Sequence, residues 1–317
     1  MGSDRSRDRL PEDARDDRAS ESIEVHTSDG HVLRAIVTEA KRGERARGVA
    51  VLAHAMFARK SEWDRRSGKG KDRRGPSLAR FLSDRGWRTI AFDFRGHGES
   101  GPGAASGAAW TYEDLVVRDL PAVVDGARSR ARGRKVIVVG HSLGGHVAAA
   151  AQATGTIDVD GIGLLASNVW LEAIEPSRAR SLVKRGVMRT VDAICRRRGY
   201  FPARLLGLGS DDESAAYMAA IGRATERGFW GSEDGHIDYW DELRHVAVPL
   251  FALASDGDPL NAHPDCVARF ALRAKGRVTI DRIRASDDGS AAPGHMEMVT
   301  TERSLSAWGR LEAWMRG

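Results

Sequence analysis

Short, uninterrupted apolar runs alternate with helix-patterned stretches along most of this chain, and that rhythm restricts its fold more than any other feature. Gly48-Val-Ala-Val-Leu-Ala53, Lys135-Val-Ile-Val-Val139, Val159 to Ala166 and Pro249 to Ala254 are apolar almost throughout, and Trp87 to Phe94 reads as a further strand. A strand covered on both faces in a parallel sheet needs this composition, whereas a half-exposed strand would alternate. Between them, Pro76 to Gly86 sets Leu78, Phe81 and Leu82 on one helical face, and Tyr112 to Arg132 repeats the period with Pro121 as an expected kink. Leu143 to Ala153, Ala262 to Lys275 and Thr301 to Met315 read as further helices, and Arg277 to Ile283 as a last strand. Strands and helices in this alternation predict an α/β fold with a mostly parallel, doubly wound sheet.

Two stretches stand outside the rhythm. Ser22 to Thr27 alternates Ile23 and Val25 against Glu24 and His26, turns at Ser28-Asp29-Gly30 and continues from His31 to Val37, which predicts a β-hairpin. From Ser167 to His245 the patterns are helical and no core strand is evident. The expected organisation is a core of residues 21–167 and 246–317, interrupted by a helical cap at 168–245. Residues 1–20 are so charged and so poor in large apolar groups that a disordered tail is expected.

Composition excludes several functions. The net charge is +5, but both signs are interspersed through the 317 residues. Only Arg59 to Arg74 is skewed, eight basic residues against Glu62, Asp64 and Asp72, and it reads as a solvated loop. No nucleic-acid partner is expected. No uncharged apolar run approaches the ~18 residues of a membrane span, and no secretory leader is evident, so no membrane insertion and a cytoplasmic location are expected. Cys195 and Cys266 are far apart without a Cys-x-x-Cys pair. No Gly-x-Gly-x-x-Gly follows the first parallel strand, and His141 and His146 lack a third ligand nearby. Neither a metal nor any other cofactor is expected.

Chemistry concentrates at Gly140-His141-Ser142-Leu143-Gly144, a Gly-x-Ser-x-Gly sequence between an apolar strand and an Ala-rich helix. A sharp strand-to-helix turn there strains Ser142, leaves no room for side chains at 140 and 144, and lifts the hydroxyl above the sheet. A serine hydroxyl needs a base, and the base needs an orienting acid. After the strand Pro249–Ala254, Ser255-Asp256-Gly257-Asp258-Pro259 supplies two acids. Asp258 is favoured, because three turn residues carry it toward the base, and Asp256 is the alternative. His295, in the loop before the last helix, is the expected base; His236, His245 and His263 compete. Leu143 N–H and Met56 N–H, the latter in the loop after Val49–Ala53, are the expected oxyanion donors. His54 is expected to hold that loop rather than to titrate, and Asp93 and its neighbouring glycines to shape the turn that follows.

With these residues assembled, the chain resembles the α/β-hydrolase superfamily over roughly residues 21 to 317. The matching pieces are His54-Ala55-Met56, Asp93-Phe-Arg-Gly-His-Gly-Glu-Ser100, Gly140 to Gly144, Asp258 and Gly294-His295. The stretch Gly199 to Gly209 is similar to one in a poorly characterised bacterial branch of that superfamily. The resemblance implies Ser142 as nucleophile, Asp258 as acid, His295 as base and the insertion as a cap over the site. Ala55 stands where the family carries glycine, which would crowd the loop if that position needed a positive φ. The expected activity is hydrolysis of carboxylic esters or thioesters of small apolar molecules through an acyl-enzyme, with some apolar cap residues lining an acyl pocket. Acyl transfer or amide cleavage by the same triad is the nearest alternative; an aminopeptidase would hold the substrate amine with acids such as Glu172, Glu175, Glu213 and Glu233. A non-catalytic binding protein on the same scaffold is the alternative from another class.

Overall fold

The apolar runs become the central strands. The computed structural model describes residues 20–64, 77–285 and 290–317. In chain order it holds β1 (Ser20–His26), β2 (Val32–Thr38), β3 (Gly48–Ala53), α1 (Leu78–Ser83), β4 (Trp87–Phe92), α2 (Tyr112–Asp114), α3 (Leu120–Ala131), β5 (Lys135–His141) and α4 (Leu143–Ala153). There follow β6 (Gly161–Leu165), α5 (Arg178–Arg198), β7 (Tyr200–Phe201), β8 (Glu213–Ser214), α6 (Ala215–Arg227), α7 (Tyr239–Glu242), β9 (Leu250–Ser255), α8 (Pro264–Ala271), β10 (Val278–Ile283) and α9 (Leu305–Arg316). Eight strands form one sheet in the order β1-β2-β4-β3-β5-β6-β9-β10. All neighbours from β4 to β10 are parallel, and only the β1–β2 hairpin and its junction with β4 are antiparallel.

Burial explains why the pattern was readable. Every residue of β3, β6 and β9 is buried, whereas the edge strands β1 and β10 alternate toward solvent. Edge strands show one face to water and central ones none. Helices α1, α3, α4, α8 and α9 pack on this sheet. The hairpin, the α/β class and the mostly parallel sheet with flanking helices therefore stand as expected, with shifted ends. β4 stops at Phe92 rather than Phe94, and β5 runs on through His141. The helix starting at Pro264 ends at Ala271, well short of Lys275. The expected kink at Pro121 is instead a π-turn over Leu115–Asp119 directly ahead of it. A wider turn there makes room for a ring that removes one amide donor and crowds the carbonyl of the preceding turn.

Segment 168–245 lies between β6 and β9 and carries α5, α6, α7 and the two-stranded antiparallel pair β7–β8. The tail expected at 1–20 falls on residues outside the described ones up to position 19, while Ser20 already pairs with Thr38 in β1. Most of the basic stretch, residues 65–74, also lies outside the described residues. Of its described part, Arg59 pairs with Asp211, and Lys60 with Asp93 and Glu99. Among the described residues no helix is long and apolar enough to cross a membrane.

Candidate active site

The turn from β5 into α4 places Ser142 at φ 49°, ψ −110°, a conformation that L-residues with a side chain rarely adopt. Its N–H donates to Leu165 O (2.9 Å), and its carbonyl accepts from Ser167 Oγ (2.7 Å). One partner ends β6 and the other lies just beyond it, so the strain is held by the sheet and the loop that leaves it. The close approach accounts for the flanking glycines. A Cβ at Gly140 would lie 2.2 Å from Gly145 N, and one at Gly144 2.1 Å from Ala53 O. Gly144→Ala is accordingly expected to cost about 3 kcal/mol or more, because the obstructing atom is backbone of β3. Gly309→Ala in α9, where a Cβ meets nothing within 4 Å, should instead be neutral or stabilise by roughly 0.5–1 kcal/mol. Urea unfolding of the two variants separates the cases.

Asp258 and His295 meet. His295 Nδ1 and Asp258 Oδ2 are 2.5 Å apart, across 37 positions of sequence. The second oxygen, Oδ1, accepts from Asn261 N–H at 3.0 Å. Burial alone would raise the Asp258 pKa, but the hydrogen bond and charge of His295, with the Asn261 and Ala262 amides, hold it below the usual carboxylate value. Asp256, by contrast, points outward and pairs with Arg282. The competing histidines sit elsewhere in their own local bonds: His263 Nδ1 caps α8 by accepting from Asp265 N–H, His245 pairs with Glu242, and His236 is exposed.

The His295 ring lies 4.9 Å from that of His141, the residue preceding Ser142, and His295 O is 3.1 Å from His141 Nε2. This sets the imidazole beside the elbow. Ser142 Oγ and His295 Nε2 have no hydrogen-bond partner among the described residues, and the structure does not join them directly. Such bonds are commonly long in unliganded sites and tighten with substrate.

The two amides expected as oxyanion donors are both free. Among the described residues neither Leu143 N–H nor Met56 N–H meets an acceptor, while the amides on either side of Met56 are taken. Ala55 N–H donates to Glu62 Oε1 (2.9 Å), and Phe57 N–H to Glu213 Oε1 (3.3 Å). The crowding expected at Ala55 does not arise, because the positive φ of this loop falls on Phe57 (63°) instead. His54 is fully buried, with Nε2 accepting from Phe94 N–H (3.0 Å) and Nδ1 facing Ala55 O (2.8 Å). Burial depresses its pKa, and a neutral ring with the proton on Nδ1 satisfies both bonds. Asp93 is likewise structural: its carboxylate accepts from Lys60 N–H, Lys60 Nζ and Glu99 N–H, and a Cβ at Gly98 would lie 2.2 Å from it.

Three residues hold roles the sequence reading did not assign them. Ser167 braces the Ser142 carbonyl, Glu62 links the Ala55 amide to His141 (Oε2 to Nδ1, 3.4 Å), and Glu213 reaches in from segment 168–245. A cleft of about 280 Å³ opens beside Met56, lined also by Arg59, Ser61, Glu62, Leu208 and Met296. Its lining is mixed rather than apolar. The large aromatic residues of segment 168–245 are mostly used for packing: Tyr217, Trp230 and Tyr239 are buried around Tyr112. A roomier groove of about 540 Å³ lies at the amino ends of β4 and β5, lined by Arg45, Trp87, Arg134 and Lys135. Ligands of open α/β sheets bind at the opposite, carboxyl ends.

A family model described as serine aminopeptidase, S33, matches residues 73–280. A search of curated protein sequences finds no match. Among solved structures, the chain is similar to a thermophilic esterase of Thermogutta terrifontis, at 18% identity and a TM-score of 0.58, over 93% of this chain and 98% of that one. It is also similar to a monoacylglycerol lipase of Paleococcus ferrophilus, at 18% identity and a TM-score of 0.57, over 90% and 98%. Est1E of Butyrivibrio proteoclasticus, with ferulic acid bound, gives 14% identity and a TM-score of 0.60, over 92% and 97%.

Proposed function

Because the chain belongs to the serine aminopeptidase S33 family of α/β hydrolases, we propose that it hydrolyses small carboxylic esters through an acyl-enzyme formed on Ser142. His295 takes the Ser142 proton and returns it to the leaving alcohol, Asp258 holds the imidazole, and the Met56 and Leu143 amides bind the oxyanion. Segment 168–245 serves as the cap, and the water that resolves the acyl-enzyme is activated by the same histidine. The observation that carries this reading is the 2.5 Å contact between His295 and Asp258 beside a strained Ser142. The Asp258 carboxylate at Nδ1 holds the ring in the tautomer that leaves Nε2 a lone pair, which is what a base for Ser142 requires.

Ester rather than peptide substrates are favoured by the state of the acids. An aminopeptidase needs a free carboxylate for the substrate's amino group, yet Glu172 pairs with Arg185, Glu175 with Arg180 and Lys184, Glu213 with His97, and Glu233 with Arg223. The neighbours described as an esterase and a monoacylglycerol lipase support this preference. The cleft beside Met56 and Met296, at about 280 Å³, lies at the lower edge of the ~300–1,000 Å³ of drug-sized ligand sites, and as the acyl site it would favour short acyl groups. Turnover of p-nitrophenyl esters from acetate to palmitate tests this directly. An optimum at acetate to butyrate, with alanyl p-nitroanilide turned over at least about a hundredfold more slowly, is the expected outcome. Faster anilide than ester turnover would reverse the preference.

A further inference from the structure

We infer that Glu213 is a positioning residue for the oxyanion loop: from the cap, and together with His97, it fixes the Phe57 amide so that the neighbouring Met56 N–H stays free for the developing oxyanion. The inference rests on the ester-hydrolase reading above.

Phe57 takes its positive φ inside a turn closed by Ala58 N–H donating to Ala55 O (3.2 Å), and segment 209–213 clamps that turn from outside. The Phe57 carbonyl accepts from Ser210 N–H (2.7 Å) and Asp211 N–H (3.1 Å), and its N–H donates to Glu213 Oε1 (3.3 Å). A Cβ at Gly209 would lie 2.4 Å from Phe57 Cβ, so the two backbones meet as closely as glycine allows. Arg59, two residues on, makes two 2.8 Å bonds to the Asp211 carboxylate. A φ of this sign on a phenylalanine persists only where surroundings over-determine it. Freed from segment 209–213, the loop would relax, and Met56 N–H would turn with it.

Glu213 is fully buried, and its Oε2 has no hydrogen-bond partner among the described residues. A carboxylate so placed needs a cation. His97, also fully buried, supplies it: Nε2 lies 2.9 Å from Glu213 Oε1 and Nδ1 3.0 Å from Arg95 O. Two oxygen acceptors, one on each ring nitrogen, call for protons on both. The other groups facing this pair are Asp211, the neutral His54 ring 5.0 Å from His97, the Trp110 ring and the Tyr217 hydroxyl. Burial opposes the charge on His97, but the adjacent carboxylate and the Arg95 carbonyl outweigh it and raise its pKa to about 9. Because the folded value lies above the ordinary 6.5, the pair's stabilisation is complete below about pH 6.5 and is lost as pH rises through about 9.

Glu213→Gln in the full chain tests the assignment, since the shape is kept and the charge removed. With p-nitrophenyl acetate, kcat is expected to fall about 10- to 100-fold with KM within about threefold, less than the ~10²–10³ lost when an oxyanion donor is deleted outright. Affinity for an alkylboronic acid, which forms a tetrahedral adduct on the serine, should fall by the same factor. Wild-type kcat is expected to decline above pH ~9 as His97 loses its proton, and the variant to show no such decline. If Glu213→Gln does not fold, His97→Asn is measured in its place with the same expectations. A lowered melting temperature with kcat, boronate affinity and pH profile unchanged would reduce the pair to a cap fastener and overturn the inference alone. A wild type that neither turns over esters nor binds the boronate would overturn the hydrolase reading, and the inference with it.

Discussion

Asp258→Asn is expected to lower kcat by about 10³- to 10⁴-fold, while Asp256→Asn leaves it within about threefold. The carboxylate of Asp258 accepts the Nδ1 proton of His295 at 2.5 Å, and its remaining partners are the backbone amides of Asn261 and Ala262. An asparagine there can present its NH2 to Nδ1, which puts the ring proton on Nε2, where a base must instead have a lone pair. Asp256 lies two residues earlier and forms an exposed pair with Arg282 of β10. Exposed pairs contribute about 0–1 kcal/mol and do not touch the chemistry. Steady-state kinetics of both variants with p-nitrophenyl acetate decides between two acids that the sequence placed side by side. Equal losses in the two would remove Asp258 from the mechanism.

The larger effect belongs to Ser142→Ala, for which a loss of about 10⁵- to 10⁶-fold in kcat is expected. Little else should change. The serine hydroxyl makes no hydrogen bond among the described residues, and the turn is held by its backbone and by Ser167 rather than by Oγ. Alanine adopts the same positive φ with similar strain, so the melting temperature should stay within a few degrees. A variant that keeps more than about 1% of wild-type turnover would assign the nucleophile elsewhere. Residual activity at the level of the free amides Met56 and Leu143 alone is compatible with the account.

How much of this was legible in the sequence follows from the range of the interactions concerned. The elbow was legible because everything that fixes it is local or generic: an apolar strand, two glycines excluded from bearing a Cβ, and an Ala-rich helix. β3, β5, β6 and β9 were legible because strands buried on both faces must be apolar at every position. The choice of Asp258 over Asp256 depended on turn geometry, which the sequence suggested and the coordinates supply. Glu213 lay beyond reach. Its contacts to His97 and Phe57 span 116 and 156 positions, and in the sequence it is one of several acids in a charged segment. Glu62 was obscured by its basic surroundings, although a buried glutamate within a solvated-looking stretch is what ties the Ala55 amide to His141. The expectation of strain at Ala55 failed for a similar reason. Which residue of a tight loop takes the positive φ is set partly by partners distant in sequence, here the 209–213 segment that meets Phe57.

The central claim is that Ser142 is an activated nucleophile, and covalent capture tests it most directly. The wild-type chain is treated with a fluorophosphonate, its intact mass is measured, and the modified peptide is mapped, beside Ser142→Ala and heat-denatured wild type. The account predicts a single adduct on Ser142 in the folded wild type, none in either control, and loss of ester turnover in proportion to labelling. No adduct, or an adduct on another serine while turnover persists, would contradict it.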